Sequence, residues 1–412
     1  MLKNYLRIAM KVYWRRKMFT AINLSCIVLT LMVLLVVTAI LETTLYPSGV
    51  EHRSDRFLHI DYFTKYGSDN DEWSNGLGYK LIDQYIRPMK TAERVAAVTS
   101  AHAVAVYQND SVEQLSIRYA DAEYWNILDF KILAGRVFTL EDVEQGHFVV
   151  VINASTAKKL FKDGMALGKK INIRSHQYEV IGVVEDGFHS YSSGDLWVAS
   201  STIPSSDYRN QLMGDFSVLM MAKETSGVAA MKKEIRDIAK TIRQDDPAKW
   251  HTTKMNADST LDSYARGFAS DSQAEESGAS EMLMWIAVLM FGFMLLPALN
   301  LVNLNMGRMM ERSSEIGVRK AFGASRLSLV WQFLVENVIL SLFGCVIALI
   351  FTQIFLIWLC QTNVIPHLKV EVNSTVLIYG IVITIIFGLV SGVLPAWRMS
   401  KLDPVFALKG NA

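Results

Sequence analysis

Cysteine is scarce in this chain of 412 residues: Cys26, Cys345 and Cys360 are the only three, each in or beside an apolar run. The long polar middle has none, so no disulfide framework holds it together, and cysteine usage does not reveal a redox compartment. Blocks of like charge are missing too. The 41 Lys and Arg against 40 Asp and Glu leave a formal charge of +1, and no basic stripe offers nucleic acid an electrostatic footprint. The eight histidines are scattered, without His-Glu-x-x-His or another close ligand pair, so a surface position is the expected reading of each. The nearest approach to a phosphate loop, Gly164-Met165-Ala166-Leu167-Gly168-Lys169-Lys170, is one residue short and lacks the Ser or Thr that would hold magnesium. Asp121 with Glu123, and Glu141 with Asp142, are carboxylate pairs in turn-rich sequence, where solvation is the ordinary outcome. The sequence therefore points to no catalytic residue, no cofactor-binding residue, no metal site and no enzyme activity of its own.

What is abundant is apolar sequence, 51% of the chain. The first 17 residues interleave Leu2, Leu6, Ile8 and Val12 with Lys3, Arg7, Lys11, Arg15 and Arg16, the pattern of an amphipathic helix lying against anionic membrane lipid. Residues 18–41 then run without a charge, longer than the roughly 20 residues that cross a bilayer. Val37-Thr38-Ala39 resembles a signal-peptide cleavage site, but the apolar core is too long for one, and a retained anchor is expected.

Residues 42–280 form a polar stretch large enough to bury its own core. Alternation over Phe57–Tyr62, Val95–Tyr107, Phe148–Asn153 and Tyr178–Val184 predicts strands. Helical spacing is expected at Gly78–Met89, Thr156–Phe161 and Val228–Arg243. Strands are expected again at Phe216–Met221 and Trp250–Lys254, which would complete a lobe that the β-rich part interrupts. Two lobes, one discontinuous, with a stalk from about Met255 to Ser280, are the expected layout.

Three more apolar runs follow, near Met282–Gly307, Leu329–Leu359 and Val372–Trp397. The second span carries Pro297, the third Glu336, and the fourth the close-approach spacing Gly388-x-x-x-Gly392; these are candidate hinge or packing positions. With four spans, nearly all loop cations fall on one side, which predicts both termini in the cytoplasm and residues 42–280 outside. The expected fold is a polytopic α-helical membrane protein of four transmembrane helices with a two-lobed α+β extracytoplasmic domain between the first and second spans.

Between the second and third spans lies Glu311-Arg312-Ser313-Ser314-Glu315-Ile316-Gly317-Val318-Arg319-Lys320-Ala321-Phe322-Gly323-Ala324. Glu311 and Glu315 share a helix face, Glu315 stands four residues before Arg319, and Gly323 is placed to end the helix. Ile316, Val318 and Phe322 supply apolar knobs. The run, together with Leu394-Pro395-Ala396-Trp397-Arg398-Met399-Ser400-Lys401-Leu402-Asp403-Pro404-Val405, resembles the signatures of the FtsX/MacB-like permease family of ABC systems. The resemblance implies residues 42–280 as a MacB-like domain and 281–412 as an FtsX-like permease domain. It also implies that 308–326 is a coupling helix, with Glu311, Arg312, Glu315, Ile316, Gly317, Arg319, Lys320, Phe322, Gly323 and Ala324 meeting a separate ABC ATP-binding subunit.

ATP and Mg2+ would then be bound by that partner, and a second permease copy, identical or homologous, would complete a docking surface for an ATPase dimer. The implied location is the bacterial inner membrane. The implied function is ATP-driven motion of the outer domain, used for efflux from the periplasm by mechanotransmission, with room for a periplasmic adaptor and an outer-membrane channel. The alternative the motif leaves open is a regulatory or signalling subunit that controls a cell-wall hydrolase or a sensor.

Overall fold

The computed structural model describes residues 17–68, 71–108, 111–161, 165–205, 207–268, 274–311, 318, 322–323, 325–362, 370 and 372–400. The expected amphipathic lead over residues 1–17 thus lies, but for Lys17, outside the described residues. Two compact units are present: Met1–Thr43 with Ser280–Ala412, and Thr44–Ala279.

Helix α1 (Lys17–Leu45) leads into the second unit. Strands β1 (Phe57–Ile60), β2 (Phe63–Gly67) and β3 (Glu72–Leu77) come first, then helical turns over Tyr79–Leu81 and Ile82–Ile86. Next are β4 (Ala92–Thr99), β5 (His102–Gln108), β6 (Ser111–Ala120), α2 (Glu123–Ile127), β7 (Ile132–Gly135) and α3 (Leu140–Glu144). They are followed by β8 (Val149–Asn153), α4 (Ala154–Leu160), β9 (Lys170–Ile173), β10 (His176–Val184), β11 (Leu196–Ala199) and β12 (Met213–Gly214). The unit ends with β13 (Phe216–Ala222), α5 (Val228–Ala239), β14 (Trp250–Met255) and α6 (Thr260–Phe268).

Sequence alternation decides how these strands share their cores. In the antiparallel pair β4–β13, Val95, Ala97, Val218 and Met220 face one core, while Ala96, Val98, Leu219 and Met221 face another. Successive side chains of a strand point to opposite faces, so a strand apolar at every position is buried on both. The first core is completed by β1, β2, the turn at Leu81–Ile86, and Met231, Ile235 and Ala239 of α5. Those three lie four residues apart, one stripe of the helix, with Lys232 and Lys233 between them. This is the discontinuous lobe: β13, α5 and β14 return to it after the intervening segment.

The intervening segment closes on itself. Strands run in the order β11-β8-β10-β9-β5-β6, and β11 also pairs in parallel with β6, Leu196 opposite Ile117 and Ala199 opposite Ala120. A closed ring leaves no edge exposed to other chains. Its interior holds Val106, Ile117, Val150, Ile152, Ile171, Ile173, Val180, Leu196 and Val198. The opposite faces of β8 and β11 give Val151, Trp197 and Ala199 to the core they share with α2.

Several expectations shift in detail. The strand region at Val95–Tyr107 is two strands broken at Ser100 and Ala101, because the ten-residue β6 pairs with β5 along one part and reaches β4 at Ala120. The stretch expected as a stalk holds α6, whose Ala265 is buried and whose Asp262 binds Ser259 and Lys232, so it packs within the unit. Of the carboxylates expected to be solvated, Glu141 is exposed and Glu123 partly so, but Asp121 and Asp142 are buried, each held by an arginine. His59 likewise contradicts the surface reading of the histidines, being only 3% exposed. Burial of such groups depends on partners that compensate their lost hydration, and short polar patterns carry no record of those partners.

The first unit contains α1, α7 (Ala279–Glu311), α8 (Arg326–Thr362) and α9 (Ser374–Ser400). All four are long and apolar enough to cross a membrane.

Candidate functional site

The membrane unit is held by small residues at helix crossings. A side chain added at Gly388 of α9 would stand 3.2 Å from the Val338 Cα and the Ser341 Oγ of α8. One added at Gly392 would stand 3.0 Å from Asn337 Nδ2 and 3.2 Å from Leu334. Gly388 lets the α9 backbone approach that of α8, and Gly392 makes room for the Asn337 and Leu334 side chains. Asn337 fastens the crossing, donating to the Gly388 carbonyl at 3.1 Å and the Ser391 hydroxyl at 2.8 Å. A bond of this kind keeps an amide satisfied in surroundings without water. Glu336, one residue away, accepts from Gln332 Nε2 at 3.0 Å along the same helix.

Pro297 sits half-buried inside α7, with Met294 and Ala298 buried beside it. A proline there removes one helical hydrogen bond and clashes with the turn before it, which is the local chemistry of a bend. α7 ends at Glu311. Of the expected coupling residues, Arg312, Glu315, Ile316, Gly317, Arg319, Lys320 and Ala324 lie outside the described residues. Of those described, Glu311 closes α7, and the Phe322 amide donates to the Val318 carbonyl at 3.0 Å, a helical hydrogen bond. Gly323 follows at φ +90°, the left-handed region where a glycine carries no side-chain penalty. Phe322 is 88% exposed and Val318 is also exposed. An aromatic ring left in water gains on the order of 2 kcal/mol when a partner covers it.

In the outer unit, sequence reasoning missed a polar group assembled from distant positions. Glu51 is buried and accepts the amides of Tyr191 and Ser192, at 3.2 and 2.8 Å. Burial pushes its carboxyl above the usual range, against the pull of those donors. The Tyr191 hydroxyl donates to Asp61 at 2.6 Å. Arg118 donates to the carbonyls of Thr99, Ser190 and Ser193. No spacing rule joins positions 51, 61, 118 and 191. An ion pair on a buried carboxylate, Arg87 Nη2 to Asp121 Oδ2 at 2.7 Å, ties the turn after β3 to the end of β6. Asp121 also accepts the amides of Ala97 and Tyr124. Among the described residues no group of His, Cys, Asp and Glu is arranged to hold a metal ion.

An α+β domain placed after one apolar helix and followed by three more defines a polytopic membrane protein of the permease type. The MacB-like periplasmic core domain matches residues 20–238, and the FtsX-like permease C-terminal domain matches residues 287–404. The chain belongs to the MacB/FtsX-type family of ABC transporter permeases. It is 24% identical over 317 residues to the macrolide export ATP-binding/permease protein MacB of Neisseria meningitidis, covering 76% of this chain and 46% of that one. The chain thus spans about half the length of the MacB relatives it matches. It is 26% identical to the ABC transporter permease YknZ of Bacillus subtilis, covering 79% of this chain and 77% of that one. The crystal structure of the extracellular domain of a YknZ transporter from Gram-positive bacteria aligns with 48% of this chain and 98% of its own, with 16% identity and a TM-score of 0.37.

Proposed function

We propose that this chain is the permease subunit through which a separate ABC ATP-binding subunit drives motion of the outer domain, expelling a substrate from the periplasm. The observation that carries this is the order of parts: one span, a MacB-like periplasmic core, then an FtsX-like permease segment in one polypeptide. In this reading the ATPase closes on ATP and Mg2+ held in its own sites. It pushes the segment 308–326 through Glu311, Glu315, Arg319 and the exposed Phe322. Pro297 gives α7 a place to bend, and Gly388, Gly392 and Asn337 keep α8 and α9 moving as one body. Both termini lie in the cytoplasm, and two permease copies supply the paired docking sites an ATPase dimer requires. Export is favoured by the role printed for the MacB relatives, which reaches this chain only as a proposal.

Affinity purification of the tagged full chain from its own membranes tests this. The wild type retains an ABC ATPase, while Glu315→Arg and Gly317→Trp lose at least about nine-tenths of it with unchanged thermal melting. Equal retention by both variants sinks the coupling assignment. Recovery of a cell-wall hydrolase or sensor in place of an adaptor and channel replaces export with regulation.

A further inference from the structure

The outer unit contains a polar cleft of about 670 Å3 whose walls come from the β1–β2 link, β3, the start of β5, the Ser190–Tyr191 loop and α6. A side chamber of about 360 Å3 shares Ser190, Tyr191, Ser263 and Gly267 with it and reaches His59. These volumes are those of small-molecule sites. His59 is held rigidly: its amide and carbonyl both bond to Asp258, at 2.9 and 2.8 Å, and its ring packs 4.7 Å from that of Tyr191. Yet its Nε2, on a side chain almost wholly buried, has no hydrogen-bond partner. Asp61 Oδ2 stands 3.8 Å away, too far to bond. A buried polar atom left unsatisfied costs free energy of about 1–3 kcal/mol, which a ligand in the chamber recovers by shifting the wall enough to bare Nε2, an atom with almost no accessible surface in the empty site.

The lining narrows the chemistry of that group. Both guanidiniums are committed to the protein: Arg118 to three backbone carbonyls, Arg266 to Asp258 at 2.6 Å and the Ala274 carbonyl at 2.7 Å. Against them stand the carboxylates of Asp61, Asp215 and Asp258, so an anion meets no free cation and a slight excess of negative charge. Burial keeps the His59 imidazole neutral at physiological pH, so it offers an anion no charge. A strongly cationic ligand finds Asp258 paired with Arg266 and one Asp61 oxygen occupied by the Tyr191 hydroxyl, so its attraction rests on Asp215 and the second Asp61 oxygen, which the trilysine control below measures. What remains are acceptors and hydroxyls, with the rings of Tyr62 and Tyr264 exposed at the two openings.

We propose that this cleft binds a neutral, hydroxyl-rich ligand of saccharide size, its hydroxyls bonding to His59 Nε2, Asp61, Ser190 and Ser263, and its C–H faces covered by Tyr62 and Tyr264. The site does not depend on the coupling reading, since every residue in it belongs to the outer unit.

The test uses the full chain in a detergent without a sugar headgroup, titrated calorimetrically with maltotriose and chitotriose, and with trilysine and triglutamate as charged controls. At least one trisaccharide binds saturably, and Ser263→Val and Tyr62→Ala each weaken binding by about tenfold or more with unchanged melting. Binding also moves the 15N resonance of His59 Nε2, which a structural role alone leaves in place. Absence of saturable trisaccharide binding up to millimolar concentration by the folded chain overturns the proposal. So does affinity untouched by both substitutions, or preference for either charged peptide.

Discussion

Replacing Arg87 by Met should make the outer domain lose stability in a pH-dependent way. Arg87 and Asp121 come from separate parts of the chain, and the Asp121 carboxyl is buried with three donors around it. Burial pushes its pKa up to about 6, although Arg87 and the two amides pull the other way. A folded-state value above that of free aspartate means protonation favours the fold. This group therefore adds stability at low pH and loses it as the pH rises through about 6.

Removing one partner of a buried pair costs about 3–5 kcal/mol, and the lower end applies because the Arg87 side chain is 31% exposed. At pH 7.5, Arg87→Met should thus lower the outer domain's melting midpoint by about 6–12 °C, at about 2–4 °C per kcal/mol for a domain of this size. At pH 5 the orphaned carboxyl takes up a proton, and only a neutral hydrogen bond of about 1 kcal/mol is missing. Asp121→Asn, which removes the charge altogether, should show little change across the same interval. Tryptophan-fluorescence melts of the full chain in detergent at the two pH values read both variants. An Arg87→Met loss of equal size at pH 5 and pH 7.5 refutes the reasoning.

Gly388→Leu should separate α8 from α9, because its side chain begins 3.2 Å from the Val338 backbone; overpacking of this kind costs about 1–3 kcal/mol. Thermal aggregation in detergent should set in several degrees earlier than for the wild type, and an unchanged midpoint contradicts the crossing. Asp142→Ala should remove the bond to Arg136 and the carboxylate half of the capping box at the start of α3, leaving the Thr139 cap, at about 1–2 kcal/mol near neutrality. Its carboxyl is held well below the usual range, first of all by Arg136, so the contribution is present above the free-aspartate pKa and fades as the pH falls below about 4. The gap between wild type and variant in acid-titrated melts should close in that direction; a gap that widens on acidification rules it out.

Part of this architecture is legible in the residues alone. Four charge-free runs are a composition signal, and lipid or protein can satisfy such a helix wherever it packs, so their existence does not depend on the rest of the fold. The return of Phe216–Ala222 to a lobe begun near Phe57 is readable because each has the residues of a largely apolar strand. The burial of His59, Asp121 and Asp142 is not. Tyr191 lies 130 residues from Asp61 and Arg87 lies 34 from Asp121, and nothing local announces either meeting. The parallel closure of β11 onto β6 is hidden for the same reason: a strand apolar at every position states that both its faces are buried but not by what. Of the coupling segment, the sequence says more than the described residues can, since only Val318, Phe322 and Gly323 carry geometry between Glu311 and Ser325.

The strand pair β4–β13 bears most directly on how the outer domain would respond to a push. Its alternating side chains fill two cores at once, so neither lobe can slide along it without withdrawing apolar side chains from the other. Each large side chain of this kind is worth about 1.5–3 kcal/mol, and Val95, Ala97, Val218 and Met220 on one face are matched by Ala96, Val98, Leu219 and Met221 on the other. Shear between the lobes at this pair therefore meets a high barrier. The Arg87–Asp121 ion pair is a polar link between the turn after β3 and the end of β6 that does not run through those two cores. If the lobes rearrange there during a transport cycle, that pair must open, at about 3–5 kcal/mol. Cross-linking Lys80 to Asp245 within the first lobe should then leave the cycle intact, whereas a short bismaleimide bridge between cysteines placed at positions 87 and 121, whose side chains meet only at the tip of a long arginine, should stall it.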